Sequence, residues 1–496
     1  MNNFSQFHNL RIKTIILLVF LISVGLLLWK KYQEVYEYPL PNMTGNWNFS
    51  EWMINYTGGF VRRGLAGQIL LKAHQLFEID FVATVIIFNI IIYLCILTYF
   101  SFRAWKLSHK LWPFLFLILN PSLILFPILD GSPFRKDLIP ILITVIHVIL
   151  IERVINQRKN VKLKSSFYSP IAFFLIGILT TILSLLHETI SLTAFMPLNI
   201  FLSISYLVTV ENILGQQLVR KVTAIYFTGA LAGIISVIMK GDNYVAETIC
   251  MSWQGIIPMI NCNESIPLAI EALRWSFGQA LMYSAHLINS GTFLLYILIL
   301  ILMMIFTIPA MANLYQQEES EKELTVVDNN IQWQQALPIL TLLDSSVDQR
   351  KEFILHLYLF LLIFSIPLYI LGWDWGRYFF IIAMQVGIIV LSPITFSILL
   401  NFYKKYLINY QIFKITHLKT SQTKLFHIKN FLIKTYSSLF KRIIQFSSLS
   451  ENNLTITLFL LLICGLPHAG IKITQVFNTS FAVQLFKVVR TLLGIS

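Results

Sequence analysis

Long apolar runs separated by short polar connections dominate this chain. A helix crosses the hydrocarbon core of a bilayer in about 20 residues. Eleven runs approach or reach that length: 14–29, 79–100, 111–129, 138–151, 168–186, 189–210, 222–239, 292–312, 353–371, 379–402 and 454–467. Runs 14–29, 138–151 and 454–467 are short, which leaves the count open by one or two. The pattern predicts an all-α integral membrane protein of about eleven transmembrane helices, with an outer juxtamembrane helix and short outer loops. Residues 1–496 read as one polytopic domain. Within it, 33–78 is an outer amphipathic segment and 240–291 the largest outer loop. Residues 313–351 form a cytoplasmic linker, acidic at its start, and 401–453 a basic amphipathic segment suited to the anionic inner leaflet. The first apolar run follows Arg11 and Lys13, lacks a small-residue cleavage site and precedes Lys30-Lys31. It reads as an uncleaved anchor.

Composition agrees. Of 496 residues, 56% are hydrophobic and 12% charged, against about 25% charged in soluble domains. The net charge of +13 gathers in the connections, with no aromatic-and-basic platform for nucleic acid. With the N-terminus cytoplasmic, 24 of the 37 Lys and Arg fall on inner segments, as the positive-inside rule requires. Arg62, Arg63, Arg135, Lys136 and Arg377 are the main exceptions. Four cysteines make no disulfide framework. Cys250 and Cys262 share the largest outer loop and could form a single bridge, whereas Cys95 and Cys464 read as packing residues. No zinc-type spacing exists, and no cofactor is named by any motif.

Those exceptional cations belong to four polar clusters at span ends, all assigned to the outer side. Tyr56–Gly67 contains Arg62 and Arg63, and 64–77 has the pattern of a short helix. Both arginines would stand at its N-terminus, where free N–H groups and planar guanidinium forks suit phosphate. Asp130–Asp137 holds Asp130, Arg135, Lys136 and Asp137; its bland reading is a turn with internal ion pairs. His187-Glu188 interrupts an apolar stretch. A desolvated carboxylate beside a histidine suits general acid–base work, although the pair is equally found marking a turn. Asp374 and Arg377 stand one helical turn apart and can pair with each other, or Arg377 can close an anionic site that Arg62 and Arg63 open.

The string Gly58-Gly59-Phe60-Val61-Arg62-Arg63-Gly64-Leu65-Ala66-Gly67, with Asp374-Trp375-Gly376-Arg377, resembles motifs of bacterial multi-pass proteins associated with surface-polysaccharide assembly. The multi-span plan is similar to O-antigen polymerases and to C-type membrane glycosyltransferases. It departs from the C-type pattern in lacking an acidic pair in the first outer loop, where Glu51 is the one carboxylate near the middle. The resemblance implies a glycosyltransferase or glycan polymerase of the bacterial cytoplasmic membrane, acting on a polyprenyl-(pyro)phosphate-linked sugar at the outer face. Glu188, His187 and Asp374 would be its catalytic residues. Arg62, Arg63, Arg135, Lys136 and Arg377 would bind phosphate, with Glu51, Asp130 and Asp137 as further candidates. The rival expectation is a lipid-linked glycan flippase or transporter without bond chemistry, which would need polar residues at mid-span.

Overall fold

A computed structural model describes residues 2–37, 47–129, 134–160, 168–239, 241–257, 260–275, 278–279, 281–282, 285, 292–315, 345–371, 374–408, 454–463, 466 and 478–492. Asp130, most of the 313–351 linker, nearly all of the 401–453 segment and Cys464 lie outside these residues. The described residues are helical and contain no strand; their single β-bridge joins Gln254 and Ile257.

The helices follow in order. α1 is Asn2–Glu37, α2 Trp47–Met53, α3 Gly64–Phe77 and α4 Phe81–Leu107. α5 is Leu111–Leu119, α6 Phe126–Leu129, α7 Leu138–Asn160 and α8 Tyr168–Leu186. α9 is Glu188–Ile190 and α10 Met196–Thr209, joined by a π-helical turn at Ser191–Phe195. α11 is Gly215–Ile238, α12 Asn243–Met251, α13 Leu268–Glu271 and α14 Thr292–Ala312. α15 is Val347–Phe364, α16 Ile366–Leu371, α17 Trp375–Val390 and α18 Pro393–Phe402. α19 is Leu454–Ile463 and α20 Phe481–Leu492.

Among the described residues seven helices are long and apolar enough to cross a membrane, or eight when the bent pair α17–α18 counts as one span. That marks a multi-pass, all-α membrane protein. Three of the expected runs are broken or short. Run 111–129 stops at Asn120-Pro121, where Asn120 Oδ1 accepts from the Ser122 amide at 2.8 Å. Run 353–371 breaks at Ser365, two residues before Pro367. Among the described residues run 454–467 supplies the 10-residue α19. The run at 379–402 bends by 98° between α17 and α18. Ser392 caps α18 and Pro393 opens it, a position where proline's missing N–H does no harm.

α17 is the axis of the bundle: all 16 of its residues are buried. It packs against α7, α14 and α15. α8 and α11 pair most extensively, through small residues. A Cβ on Gly177 would lie 2.7 Å from the Ile225 carbonyl oxygen, and one on Gly229 2.7 Å from the Thr180 methyl carbon. Apolar surface gains nothing by leaving lipid for protein, so close backbone approach of this kind is what joins such helices. Cys95, expected to pack, is exposed on α4.

Candidate functional site

α3 begins and ends where the sequence pattern placed it. Its glycines face α2: a Cβ on Gly67 would meet the Ile54 carbonyl oxygen at 2.1 Å, and one on Gly64 the Tyr56 ring at 2.2 Å. Only glycine lets the helix lie this close. Arg63 precedes α3 with φ of 63°, in the left-handed region, which is rare for a large side chain. That backbone turns its guanidinium inward. Arg63 Nη1 lies 3.2 Å from Glu51 Oε1 on α2, and Nε 3.3 Å from Glu188 Oε1 at the start of α9. His187 Nε2 stands 3.4 Å from the same Glu51 oxygen. Thr189 Oγ1 donates to Glu188 Oε1 at 3.0 Å.

Three consecutive residues ahead of α7 divide between two halves of the cluster. Lys136 Nζ donates to the Arg63 carbonyl at 3.2 Å and lies 5.5 Å from the centre of the Trp52 ring. Trp52 in turn donates from Nε1 to the Phe134 carbonyl at 2.7 Å. Arg135 Nη1 reaches Asp374 Oδ2 at 2.7 Å. Asp137 Oδ2 lies 3.2 Å from Arg377 Nε, and Arg377 Nη1 3.0 Å from Asp374 Oδ2. Arg135 thus reaches outside its own turn, to a partner 239 residues away. Asp374 and Arg377 do pair within one turn of α17, and each also holds a group from the 135–137 segment.

The result is one network of four cations and four carboxylates: Glu51, Arg63, Arg135, Lys136, Asp137, Glu188, Asp374 and Arg377. All but Arg63 are buried; its side chain is 17% exposed and forms the open edge. Burial pushes the Glu51 carboxyl up, but Arg63, Lys136, Arg377 and Arg135 together pull it below its usual range. Burial raises Asp137 to about 6 against the pull of Arg377. Burial lowers the Lys136 ammonium to about 8 despite Glu51. Burial and the surrounding cations hold His187 well below its ordinary value, so its ring is neutral. Glu51 Oε2, Glu188 Oε2 and Asp137 Oδ1 have no hydrogen-bond partner among the described residues, nor has either His187 ring nitrogen.

Arg62 stays out of the network. Its guanidinium donates to the Ala272 carbonyl at 2.7 Å, and its amide to the Met239 carbonyl at the end of α11 at 3.2 Å. Burial is the main reason its pKa is lowered. It anchors the 241–275 segment, which the Cys250–Cys262 disulfide closes. That segment covers α2: Trp253 Nε1 donates to the Met53 carbonyl at 2.7 Å, and Asn55 Nδ2 to Ser252 Oγ at 2.9 Å. Among the described residues no group of three or more His, Cys, Asp or Glu could hold a metal ion.

Sequence reasoning missed several polar groups. Trp52 supports Lys136. Thr144, His147, Asn199 and Gln385 are buried in span interiors. His147 stands inside an apolar run three residues after Thr144, a helical spacing that could have marked it. Glu152 joins Arg103 at 2.5 Å and accepts from Ser392 Oγ at 2.6 Å, where α17 turns into α18. A groove of about 970 Å³ along the Tyr168 half of α8, lined by Phe173, Phe174, Ile178 and Ile225, shares no residue with the network. Compared with known family models, curated proteins and solved structures, the chain matches none.

Proposed function

We propose that the network is the active site of a membrane glycosyltransferase or glycan polymerase that uses a polyprenyl-(pyro)phosphate-linked sugar. The observation that carries this reading is the pair Glu51 and Glu188. Both bind one partly exposed arginine, and each keeps a buried oxygen without a partner. Buried charges contribute little to stability, so a network of eight at one end of the bundle is better understood as chemistry. Glu188 Oε2 takes the proton of the acceptor hydroxyl. The hydroxyl oxygen bonds to the anomeric carbon as the bond from that carbon to the lipid phosphate breaks. Arg63 exchanges a carboxylate for the departing phosphate and neutralises it, with Arg62 beside it. Arg135, Lys136 and Arg377 keep the carboxylates charged and in place, and Asp374 orients the last of these.

The eleven-span topology belongs to the same proposal. It puts the N-terminus in the cytoplasm of a bacterial cell and the network at the outer face of the cytoplasmic membrane. The Cys250–Cys262 bridge over the network end supports that sidedness, since disulfides persist in oxidising compartments. The test is turnover of a lipid-linked sugar by purified protein. Glu188→Gln abolishes transfer while substrate binding survives. Arg63→Lys lowers turnover roughly 10- to 100-fold because an ammonium cannot span two carboxylates or a phosphate as the fork does. Full activity of Glu188→Gln sinks the assignment.

A second reading, a lipid-glycan flippase or transporter, is favoured by one observation. Thr144, His147, Asn199 and Gln385 are polar and fully buried within the spans. Substrate translocation that persists in Glu188→Gln without bond cleavage selects it.

A further inference from the structure

The mid-bundle polar residues form a file. Gln385 Nε2 on α17 donates to Thr144 Oγ1 on α7 at 3.4 Å. His147 Nδ1, also on α7, shares a hydrogen bond with Asn199 Oδ1 on α10. The Asn199 amide is fixed by its own bond to the Phe195 carbonyl at 2.7 Å, which turns Oδ1 toward the ring. An amide oxygen only accepts, so Nδ1 carries the hydrogen and Nε2 is left as a basic lone pair. Nε2 has no partner among the described residues, and neither has Gln385 Oε1. Packed interiors hold water at such atoms.

The file has ionisable ends. Asp137, with its unpartnered Oδ1, stands at the head of α7 within the network. Glu152, bound by Arg103 and Ser392, stands near the other end of the same helix. Residues 137, 144, 147 and 152 lie within one half of the helix circumference, at axial steps of about 10, 5 and 8 Å. In the proposed path waters bridge these steps, the last of which also turns by about 140° about the axis. α4, α8, α10, α17, α18 and the Ser191–Phe195 turn pack on α7; their charged side chains are Arg103, Lys106 and Arg377, of which Arg103 is held by Glu152 and Arg377 by Asp137 and Asp374, and the His147 ring bonds to Asn199. On its own helix the flanking ionisable groups are Asp137 and Glu152. An intramembrane histidine with no charged partner is a marker of ion or proton pathways.

We propose that α7 carries a proton path from Asp137 through His147 to Glu152, so that the chain moves protons between the two ends of the bundle. Nε2 accepts one proton from the Asp137 side and later releases one toward Glu152. The imidazole ends unchanged and nothing is oxidised or reduced. This activity uses neither Glu188 nor Arg63 and shares only Asp137 with the network. A purely structural role for the His147–Asn199 bond would move no protons.

The test uses full-length protein in vesicles of phosphatidylethanolamine and phosphatidylglycerol, with a pH-sensitive dye inside and valinomycin with potassium setting the potential. The outside is acidified to about pH 6 to set an inward proton gradient. The expected result is proton entry several-fold faster than in protein-free vesicles. His147→Gln returns the rate to the protein-free level, while elution volume and melting temperature stay near those of the wild type. Where His147→Gln does not reconstitute, Gln385→Leu, which removes the free carbonyl, decides by the same criterion. A wild-type rate equal to that of empty vesicles overturns the proposal. So does a variant that conducts as fast as the wild type. Glycan transfer measured on the same variant stays at the wild-type rate, and its loss would count against the separation of the two activities.

Discussion

Asp137 is where burial and attraction oppose each other most evenly. Its carboxyl is raised to about 6, against 3.8 for an ordinary aspartate. The folded protein therefore holds this proton more tightly than the unfolded chain. The stabilising contribution is complete below the unfolded pKa and is lost as pH rises through about 6. Asp137→Asn has no such loss. The melting temperature of wild type minus that of Asp137→Asn should fall by a few degrees between about pH 4 and pH 6.5, then level off. A difference that does not change with pH would show that the site titrates elsewhere. At this scale the sequence was informative because charge stands out in an apolar chain. Arg63, Arg135, Lys136, His187, Glu188, Asp374 and Arg377 were all legible as a set, and Glu51 as a lone carboxylate. Their partners were not legible, since a pair such as Arg135 and Asp374 is fixed by tertiary packing alone. Uncharged Thr144, Asn199 and Gln385 give no contrast against their neighbours.

Among the elements, α3 shows how a motif can be right in place and different in reason. Free helix N–H groups beside two arginines suggest a phosphate site. In the fold Gly64 and Gly67 make room for Tyr56 and the Ile54 carbonyl, and the phosphate fork is already occupied by carboxylates. Gly67→Ala forces α3 away from α2, because the obstructing atom is backbone and cannot swing aside. It should destabilise the protein by about 1–3 kcal/mol and weaken transfer through Arg63, measured by thermal unfolding and turnover. Unchanged stability would mean that the helices are not in this contact. Hydropathy located the spans but not their breaks. Proline and serine in an apolar run permit a straight, a kinked or a 98° bent path, and composition is the same in all three. The π-helical turn at Ser191–Phe195 follows the same logic: Pro197, with no N–H to give, unsettles the ladder just past Glu188.

For the whole molecule, four stretches spread from Glu51 to Arg377 converge at one end, as a common-sided topology demands. Cysteines placed singly beside Arg62, Asp137, His187 and Asp374, with the native thiols replaced, should all react with an impermeant reagent on intact cells. Labelling of any one only after permeabilisation breaks the common face. The network also has a consequence for how the protein is made. Arg135 leaves the ribosome 239 residues before Asp374. At translation rates of about 5–20 residues per second, that interval is on the order of 10 to 50 seconds. Throughout it, the head of α7 sits in the membrane with Asp374 and Arg377 not yet synthesised. Water or lipid headgroups must screen Arg135 and Asp137 until α17 arrives and displaces them. Insertion of α17 thus closes the network, and a chain that stops short of it carries half a site.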